Sequence, residues 1–266
     1  MAVSRRKWDE SVALHVASAS YDVPRFLRGA SSLLRWEEEE VGDVRGQSLL
    51  HLQCHFGMDT LSWARRGARV TGVDYSAPAI EAARELSRRS GLPGRFVRSD
   101  IYSARRRLAG RFDVVYTGKG ALCWLPDLRA WARVVAAYLP PGGRLFYLED
   151  HPVAEIHEPD RRTGGLRRTA SYFRRNPFRD DLAGTYAVAS PRMRNTVSYS
   201  WLHPISEAVQ ALADAGLTID SLTEFPYSYW RRYPAMHVDP RGFWHLDRDE
   251  GGLPLMYSLR ATKLSE

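Results

Sequence analysis

The chain has 266 residues, of which 44% are hydrophobic and 26% charged, and its formal net charge is +7. This composition is typical of globular proteins and excludes a disordered chain. The chain is long enough for one large α/β domain with a sizeable core. The two cysteines exclude a disulfide scaffold or a thiol-built zinc site, and no apolar run approaches the roughly 20 residues of a membrane span. Because acids and a histidine interrupt the first 20 residues, we expect no signal peptide and a cytoplasmic protein.

The positive charge is concentrated in one segment. Arginine supplies 35 of the 38 basic residues, and seven arginines lie between Arg161 and Arg179, where there is no acid. These seven charges equal the whole net excess, so the sequence does not predict a basic face of the kind that nucleic-acid-binding proteins have. Three interpretations of the segment stay open: a solvated surface or subunit contact, a flap that attracts an anionic acceptor, and an RNA contact.

Residues 46–150 alternate between short apolar runs and amphipathic stretches with clear end signals. Ser76 is a helix cap with Pro78 in the first turn, and Gly91 follows the same helix. Strands alternating with helices at short spacing predict right-handed crossovers and a parallel, doubly wound sheet. In chain order, the predicted elements are strand Ser48–Gln53, helix Asp59–Arg66, strand Arg69–Asp74, a helix from Ser76 to about Ser90, strands Arg95–Asp100 and Phe112–Thr117, helix Leu128–Leu139 and strand Arg144–Glu149.

The regular alternation ends at residue 151. Proline, glycine and arginine clusters with scattered aromatic residues follow as far as residue 195. Regular patterns then return and predict strand Thr196–Leu202, helix Ile205–Ala215, strand Leu217–Glu224 and a final strand Leu255–Thr262. We therefore predict an insertion between the fifth strand and the closing elements.

Three consecutive strand ends carry the residues that a nucleoside site needs. Leu49–Gly57 combines a strand, a tight turn and the start of a helix, where backbone N–H groups can meet a ligand. Asp74 ends the second strand, where a carboxylate can bind a ribose diol, and Asp100 ends the third, where it can meet an adenine edge. Each acid also fits a simple helix cap or strand end, so the ordered set carries the prediction.

The stretch 48–150 resembles the class I S-adenosylmethionine-dependent methyltransferases. The segments that carry the resemblance are HLQCHFGMDTLSWARRGARVTGVDYS, RFVRSDIY, FDVVYTGKGALCWLPDL and LPPGGRLFYLED. The resemblance implies a Rossmann-like, doubly wound, seven-stranded α/β sheet with an antiparallel last strand. We predict such a domain over residues 46–266, with an insertion at about 152–195 and an N-terminal lid of helices over residues 1–45.

One departure from the family pattern concerns the first loop. The usual pattern is an acidic residue followed by three alternating glycines, whereas these positions read His51, Gln53, His55 and Gly57. The loop can bind the cofactor if Gln53 and His55 adopt the backbone angles of a tight turn. We interpret the loop as a variant, and the imidazole and amide side chains as candidate contacts of the methionine moiety.

The resemblance implies S-adenosylmethionine as the cofactor and S-adenosylhomocysteine as its product. Asp74 would hold the ribose hydroxyls, Tyr75 would flank the adenine, and Asp100 with Ile101 would contact the adenine amino group and face. Thr117 and Gly118 would lie beside the methionine part. The complete predicted cofactor set is Tyr21, Gln53, Cys54, His55, Gly57, Asp74, Tyr75, Asp100, Ile101, Thr117 and Gly118.

The methyl acceptor is expected over the carboxyl ends of the fourth and fifth strands. The N-terminal segment, the loop after strand five and the aromatic residues of the C-terminal half converge there and predict an apolar or aromatic pocket. The predicted substrate residues are Trp124, His151, Tyr199, Trp201, Tyr227 and Trp230. His151 is the first candidate for a general base, because histidine titrates near neutral pH, and His203 is the second; either also fits a structural histidine.

We therefore predict a methyltransferase acting on an O, N or C atom of a small aromatic or apolar metabolite, in secondary metabolism. No metal site, nucleic-acid partner or membrane partner is expected, and the oligomer would be a monomer or a homodimer. The alternatives are an RNA-modifying methyltransferase and a non-methylating member of the same fold. A nicotinamide dehydrogenase would need G-x-G-x-x-G at residues 53–58, and a P-loop enzyme would need GK[ST]; neither motif is present.

Overall fold

The computed structural model describes residues 2–188, 193–248 and 252–264. Residues 189–192 of the predicted insertion therefore lie outside the described residues. The helices are α1 Ala2–Ala17, α2 Val23–Leu27, α3 Arg35–Val41, α4 Met58–Arg65, α5 Ala77–Ser90, α6 Leu128–Tyr138, α7 Pro152–Glu155 and α8 Ile205–Asp214. The strands are β1 Ser48–Leu52, β2 Arg69–Asp74, β3 Arg95–Arg98, β4 Val114–Thr117, β5 Arg144–Asp150, β6 His157–Pro159, β7 Leu166–Arg168, β8 Phe178–Asp181, β9 Val197–Ser200, β10 Leu217–Phe225, β11 Tyr227–Ser228, β12 Met236–Val238, β13 Trp244–Leu246 and β14 Met256–Lys263.

A seven-stranded sheet with the order β10-β14-β5-β4-β1-β2-β3 organises the molecule. Strands β1 to β5 pair in parallel, whereas β14 runs antiparallel to both β5 and β10. The carboxyl ends of the parallel strands meet at one edge of the sheet, where ligands of doubly wound folds bind. The predicted α/β fold with an antiparallel last strand is confirmed.

The core has a layer on each face of this sheet. Leu50 and Leu52 of β1 lie in the layer of Trp131 from α6 and Leu212 from α8. Leu49, from the same strand, lies in the opposite layer, as strand alternation requires. The N-terminal helix α2 joins α4 and α5 in a third cluster, which includes Phe26.

The region predicted as an insertion contains strands β6, β7 and β8, which form short antiparallel pairs. Strand β6 pairs with β7, and β8 pairs with β9, which follows the region; β11, β13 and β12 form a separate three-stranded sheet further along the chain. Helix α1 packs on β9 and α5, so the N-terminal segment and the insertion form a common cover over the carboxyl edge of the main sheet. No helix in the described part of the chain is long and apolar enough to cross a membrane.

Candidate functional site

The loop after β1 has a left-handed backbone at all three positions that the resemblance assigns to glycine. Gln53 has φ 59°, His55 has φ 50° and Gly57 has φ 81°, so the three alternating positions all lie in the left-handed region. Residues other than glycine seldom adopt this conformation. At Gly57 glycine is required for space as well, because a Cβ atom there would stand 2.7 Å from Phe96 Cε1.

Hydrogen bonds hold the loop in this conformation. Gln53 Nε2 donates to the Ala121 carbonyl at 2.8 Å, which joins the loop to the segment after β4. The His55 backbone N–H donates to Asp74 Oδ2 at 2.9 Å. Strained backbone persists where the surroundings fix it in this way, and such strain is typical of functional sites.

Asp74 ends β2 at the centre of this arrangement. Its Oδ1 accepts from the Ser76 N–H at 2.9 Å, while Oδ2 accepts from His55. Burial raises the pKa of Asp74 to about 6, although the backbone donors favour the ionised form. A carboxylate oxygen has two lone pairs, so each oxygen of Asp74 can accept a further hydrogen bond from a ligand hydroxyl.

A cleft opens beside Asp74, with about 490 Å³ of space between protein atoms and in the solvent at its mouth. Seven residues predicted for the cofactor or the substrate line it, namely Gln53, Asp74, Tyr75, Asp100, Ile101, Trp124 and Trp201. The structure thus brings together the ends of β1, β2 and β3, as their order in the sequence predicted.

Four further residues line the cleft and were missed: Ser4, Val73, Ser99 and Leu125. Val73 and Ser99 directly precede the two strand-end acids, and this position was the signal that could have identified them. Ser4 comes from α1, and nothing in its sequence surroundings marks it. At the third strand end, Asp100 Oδ1 accepts from the Tyr102 N–H at 2.9 Å and caps a short 3-10 helix, Ile101–Arg106.

The remaining predicted cofactor residues do not line this cleft: Tyr21, Cys54, His55, Gly57, Thr117 and Gly118. Cys54 is buried against Gly72 in the neighbouring strand. Thr117 is buried at the end of β4, and its hydroxyl has no hydrogen-bond partner. Gly118 lies against the Tyr116 side chain, where a Cβ atom would meet the phenol group.

Tyr21 and His55 belong to an aromatic cluster above the first loop, which also contains Trp8, His15 and Tyr186. His15 Nδ1 lies 2.9 Å from His55 Nε2. Burial lowers the pKa of His15 to about 4 and that of His55 to about 3, so both rings are neutral at pH 7. Trp8 connects the cluster to the cleft, since its ring centroid is 5.0 Å from that of Trp124.

His151 differs from its predicted role as a general base. Its Nδ1 accepts from the Val153 N–H at 3.0 Å, and its Nε2 lies 2.7 Å from Glu224 Oε1. An Nδ1 acceptor leaves the proton on Nε2, which then donates to the carboxylate, so a neutral ring has no free lone pair for a substrate proton. The buried ring serves here as the cap of α7, and burial lowers its pKa. The second candidate, His203, has its Nε2 committed to the Leu125 carbonyl at 2.7 Å.

The predicted substrate residues divide into two groups. Trp124 and Trp201 line the cleft, and the Tyr199 N–H donates to Ser4 Oγ at 3.0 Å, next to it. Tyr227 instead packs on Phe225 and Phe243 in the core. Trp230 Nε1 donates to Asp150 Oδ1 at 2.9 Å at the end of β5.

Ionisable side chains gather at that end of β5. Glu149 accepts from the Ala121 and Leu122 N–H groups, and burial raises its pKa to about 8. Arg232 contacts both Asp150, at 3.6 Å, and Glu155, at 2.6 Å. The sequence pattern ends the fifth strand at Glu149 but does not identify the partners of Asp150, Trp230 and Arg232, which lie about 80 residues further along the chain. Among the described residues, no group of three or more His, Cys, Asp and Glu residues could hold a metal ion.

Comparisons with known proteins locate the similarity on the same strands. Residues 50–145 match the family model described as a methyltransferase domain. Over 114 residues the chain is 32% identical to a ubiquinone biosynthesis O-methyltransferase of Erwinia tasmaniensis, covering 43% of this chain and 46% of that protein. Over 114 residues it is 30% identical to the Bordetella avium protein of the same name, covering 43% and 47%. The chain thus spans about half the length of these curated relatives.

Solved structures share the fold over most of the chain. A putative S-adenosylmethionine-dependent methyltransferase from Listeria monocytogenes has a TM-score of 0.61 at 19% identity, covering 86% of this chain and 98% of that one. DhpI in complex with S-adenosylhomocysteine has a TM-score of 0.59 at 15% identity, covering 100% and 97%. At these identities the similarity shows a common fold.

Proposed function

We propose that the protein is an S-adenosylmethionine-dependent methyltransferase acting on a small aromatic or apolar metabolite. The observation that carries the proposal is the cleft at the ends of β1, β2 and β3, where Asp74 lies beside a loop with left-handed residues. The methyltransferase family model matches the segment that supplies most of the residues lining this cleft. The names of the curated relatives favour an oxygen atom as the acceptor.

The residues of the cleft fit an adenosine-containing cofactor. Asp74 has lone pairs free for the ribose hydroxyls, and Ile101 and Tyr75 offer apolar surfaces to the adenine. Gln53 Oε1 is buried without a hydrogen-bond partner, and a ligand N–H or O–H would satisfy it. When bound, S-adenosylmethionine supplies a methyl group activated by a positively charged sulfur atom.

On the acceptor side, the protein positions the methyl acceptor and excludes water from it. Trp124 and Trp201 provide aromatic walls, and α1 covers them through the contact of Trp8 with Trp124. Holding an acceptor atom in line with a methyl group supplies much of the rate enhancement of such a displacement, and removing water strengthens it. His151 has no free lone pair, and the free Nδ1 of His203 lies 3.5 Å from Glu207 Oε2, so we assign no proton transfer to either ring.

The arginine segment favours a small-molecule acceptor over RNA. Three of its seven arginines pair with carboxylates: Arg167 with Glu158, Arg175 with Glu207 and Arg179 with Asp181. These acids lie outside or at the edge of the segment and reduce its local charge. The excess charge is also confined to this segment and does not cover a whole face, so we propose no nucleic-acid partner.

The remaining proposals concern location and assembly. Cys54 and Cys123 are both free thiols, which suits the reducing cytoplasm. A role in secondary metabolism and a monomeric or homodimeric state stay predictions.

Isothermal titration with S-adenosylhomocysteine tests the proposed function. We expect the wild type to bind it and Asp74→Asn to bind about a hundredfold more weakly, because the amide NH₂ would face a backbone N–H and lose a hydroxyl acceptor. Asp43→Asn is the matched control, since Asp43 is exposed and pairs only locally with Arg45. A wild type that binds neither S-adenosylmethionine nor S-adenosylhomocysteine would refute the proposal.

A further inference from the structure

A second cavity lies at the edge of the main sheet opposite the cleft. Its volume is about 180 Å³, and its walls come from the amino ends of β4 and β5, from β10 and β14, and from the last residues of α3. An engineered protein cavity of about 150 Å³ is large enough to bind benzene. The second cavity therefore has room for a ring-sized molecule, and the proposed function assigns no role to it.

Half of the lining of this cavity is apolar. Four buried residues form these walls, namely Val41, Val114, Leu145 and Phe146. An apolar part of a ligand that leaves water for such walls gains free energy in proportion to the area it buries. The cavity is therefore suited to a molecule with an apolar portion.

The other half of the lining consists of two arginines and two acids: Glu40, Arg144, Asp220 and Arg260. Glu40 and Arg260 form an ion pair, in which Arg260 Nε lies 3.3 Å from Glu40 Oε2. These two charges compensate each other. The remaining two side chains, Arg144 and Asp220, differ in this respect.

Arg144 and Asp220 bind only neutral groups. Arg144 donates to Gln47 Oε1 at 2.8 Å and to the Val41 carbonyl at 3.3 Å, and Asp220 Oδ2 accepts from the Thr262 hydroxyl at 2.7 Å. Within the described ranges, neither side chain has an ion-pair partner of opposite charge. The cavity thus contains one uncompensated cation and one uncompensated anion.

The register of the sheet places these two charges on either side of Thr262. Thr262 of β14 lies opposite Arg144 of β5. A register shift between Ile219 and Ser221 makes Asp220 the extra residue of a bulge in β10, and bulges redirect side chains in this way. Neighbouring strands lie about 4.8 Å apart, so the backbones of β5 and β10 are about 10 Å apart. The two charged groups do not pair directly, but one small molecule can span them.

We propose that this cavity binds a small zwitterion with an apolar side chain, the chemical class of the hydrophobic α-amino acids. The Arg144 guanidinium binds the carboxylate, Asp220 binds the ammonium group, and the apolar walls hold the side chain. A ligand with a single charge compensates only one of the two groups and is repelled by the other. The inference does not rest on the proposed function, because the cavity and the cleft share no lining residue.

Three ligands with the same ring test the proposed recognition. L-Phenylalanine carries both charges, 3-phenylpropionate lacks the ammonium group, and phenethylamine lacks the carboxylate. Each is titrated calorimetrically into the full chain. We expect the wild type to bind L-phenylalanine at least about tenfold more tightly than either singly charged ligand.

Two substitutions separate the two charges. Asp220→Asn keeps an oxygen acceptor for Thr262, and we expect it to weaken L-phenylalanine and phenethylamine about tenfold while 3-phenylpropionate is not weakened. Arg144→Gln should weaken L-phenylalanine and 3-phenylpropionate about tenfold and leave phenethylamine unchanged. Asp247→Asn is the control, because Asp247 is exposed and pairs with His237 on the small sheet; its affinities should equal those of the wild type.

Cooperative urea unfolding shows whether each variant is folded. If Arg144→Gln does not fold, the exposed position of Asp220 still allows Asp220→Asn to decide. The inference is overturned by a wild type that does not bind L-phenylalanine or does not prefer it, by unchanged L-phenylalanine binding in a folded variant, or by equal losses for all three ligands. Titration with S-adenosylhomocysteine tests the proposed function separately, at the opposite edge of the sheet.

Discussion

The two sides of the cleft are built in different ways. The side proposed for adenosine comes from β1, β2, β3 and the loops that follow them, all within residues 48–101. The side proposed for the acceptor combines α1, the segment after β4 and Trp201 from the last third of the chain. The end of β5 adjoins this second side, because Glu149 accepts from the Ala121 N–H in the segment after β4. One side is local in sequence, and the other is assembled from distant segments.

The polar groups of the two sides also have different partners. Asp74 and Asp100 accept hydrogen bonds from backbone N–H groups of their own turns. Asp150 depends on the Trp230 and Arg232 side chains, about 80 residues further along the chain. The adenosine side is therefore fixed by backbone geometry, whereas the end of β5 depends on paired side chains, and each can be weakened separately.

The largest effect is expected from Arg232→Met. The Arg232 side chain is only 10% exposed, and its loss leaves Asp150 and Glu155 without their cation. Breaking a buried pair by removing one partner costs about 4 kcal/mol of unfolding free energy, measured by urea denaturation. Arg241→Met removes an arginine that is 65% exposed, and we expect a loss below about 1 kcal/mol. Equal losses in the two variants would show that the β5 cluster contributes no special stability.

A smaller effect, confined to the adenosine side, is expected from Gly57→Ala. The new Cβ atom would meet Phe96 and Ala83 in a left-handed backbone, which should cost about 3 kcal/mol of unfolding free energy. Gly91→Ala is matched in conformation, with φ +68°, but has open space around it, so about 1 kcal/mol is expected. If the two substitutions lower the unfolding free energy equally, close packing beneath the loop does not explain why glycine is needed at position 57.

The smallest effect is a pH dependence of ligand binding. Burial raises the pKa of Asp74 to about 6, above its usual 3.8, so ionisation of Asp74 lowers the folded state's stability as pH rises through this window. Because the carboxylate is the better acceptor of ribose hydroxyls, S-adenosylhomocysteine affinity should rise about tenfold from pH 5 to pH 7. Titration calorimetry of Asp74→Asn should give a flat profile over this range; a rise equal to that of the wild type would assign the dependence to another group.

The difference between local and distant contacts also explains which features the sequence could predict. The strands of residues 48–150 carry strong periodic patterns, so their order and the roles of Asp74 and Asp100 as strand-end groups followed directly. The position of Gln53 in the cleft was also expected from the sequence. The left-handed backbone angles of Gln53 and His55, however, depend on hydrogen bonds to Ala121 and Asp74. A local pattern does not encode such contacts.

On the acceptor side, local patterns identified residue types but not their partners. His151 follows the fifth strand as predicted, yet its ring is held by Val153 and Glu224, and Glu224 lies 73 residues further along. Ser4 lines the cleft only because α1 docks there. Strand β9 follows the predicted strand Thr196–Leu202, but β6, β7 and β8 have too few alternating positions for periodicity to reveal them or their pairing.

The docking of α1 has a consequence for the order in which the molecule is completed. Lys7 Nζ donates to the Thr196 carbonyl, Glu10 accepts from the Asn195 N–H, and Ser4 accepts from Tyr199, across separations of 185 to 195 residues. A ribosome makes this helix long before its docking strand exists, and closing so long a loop is entropically slow. The central sheet can therefore form its early strands during synthesis, while the cover over the cleft has to wait for the last third of the chain.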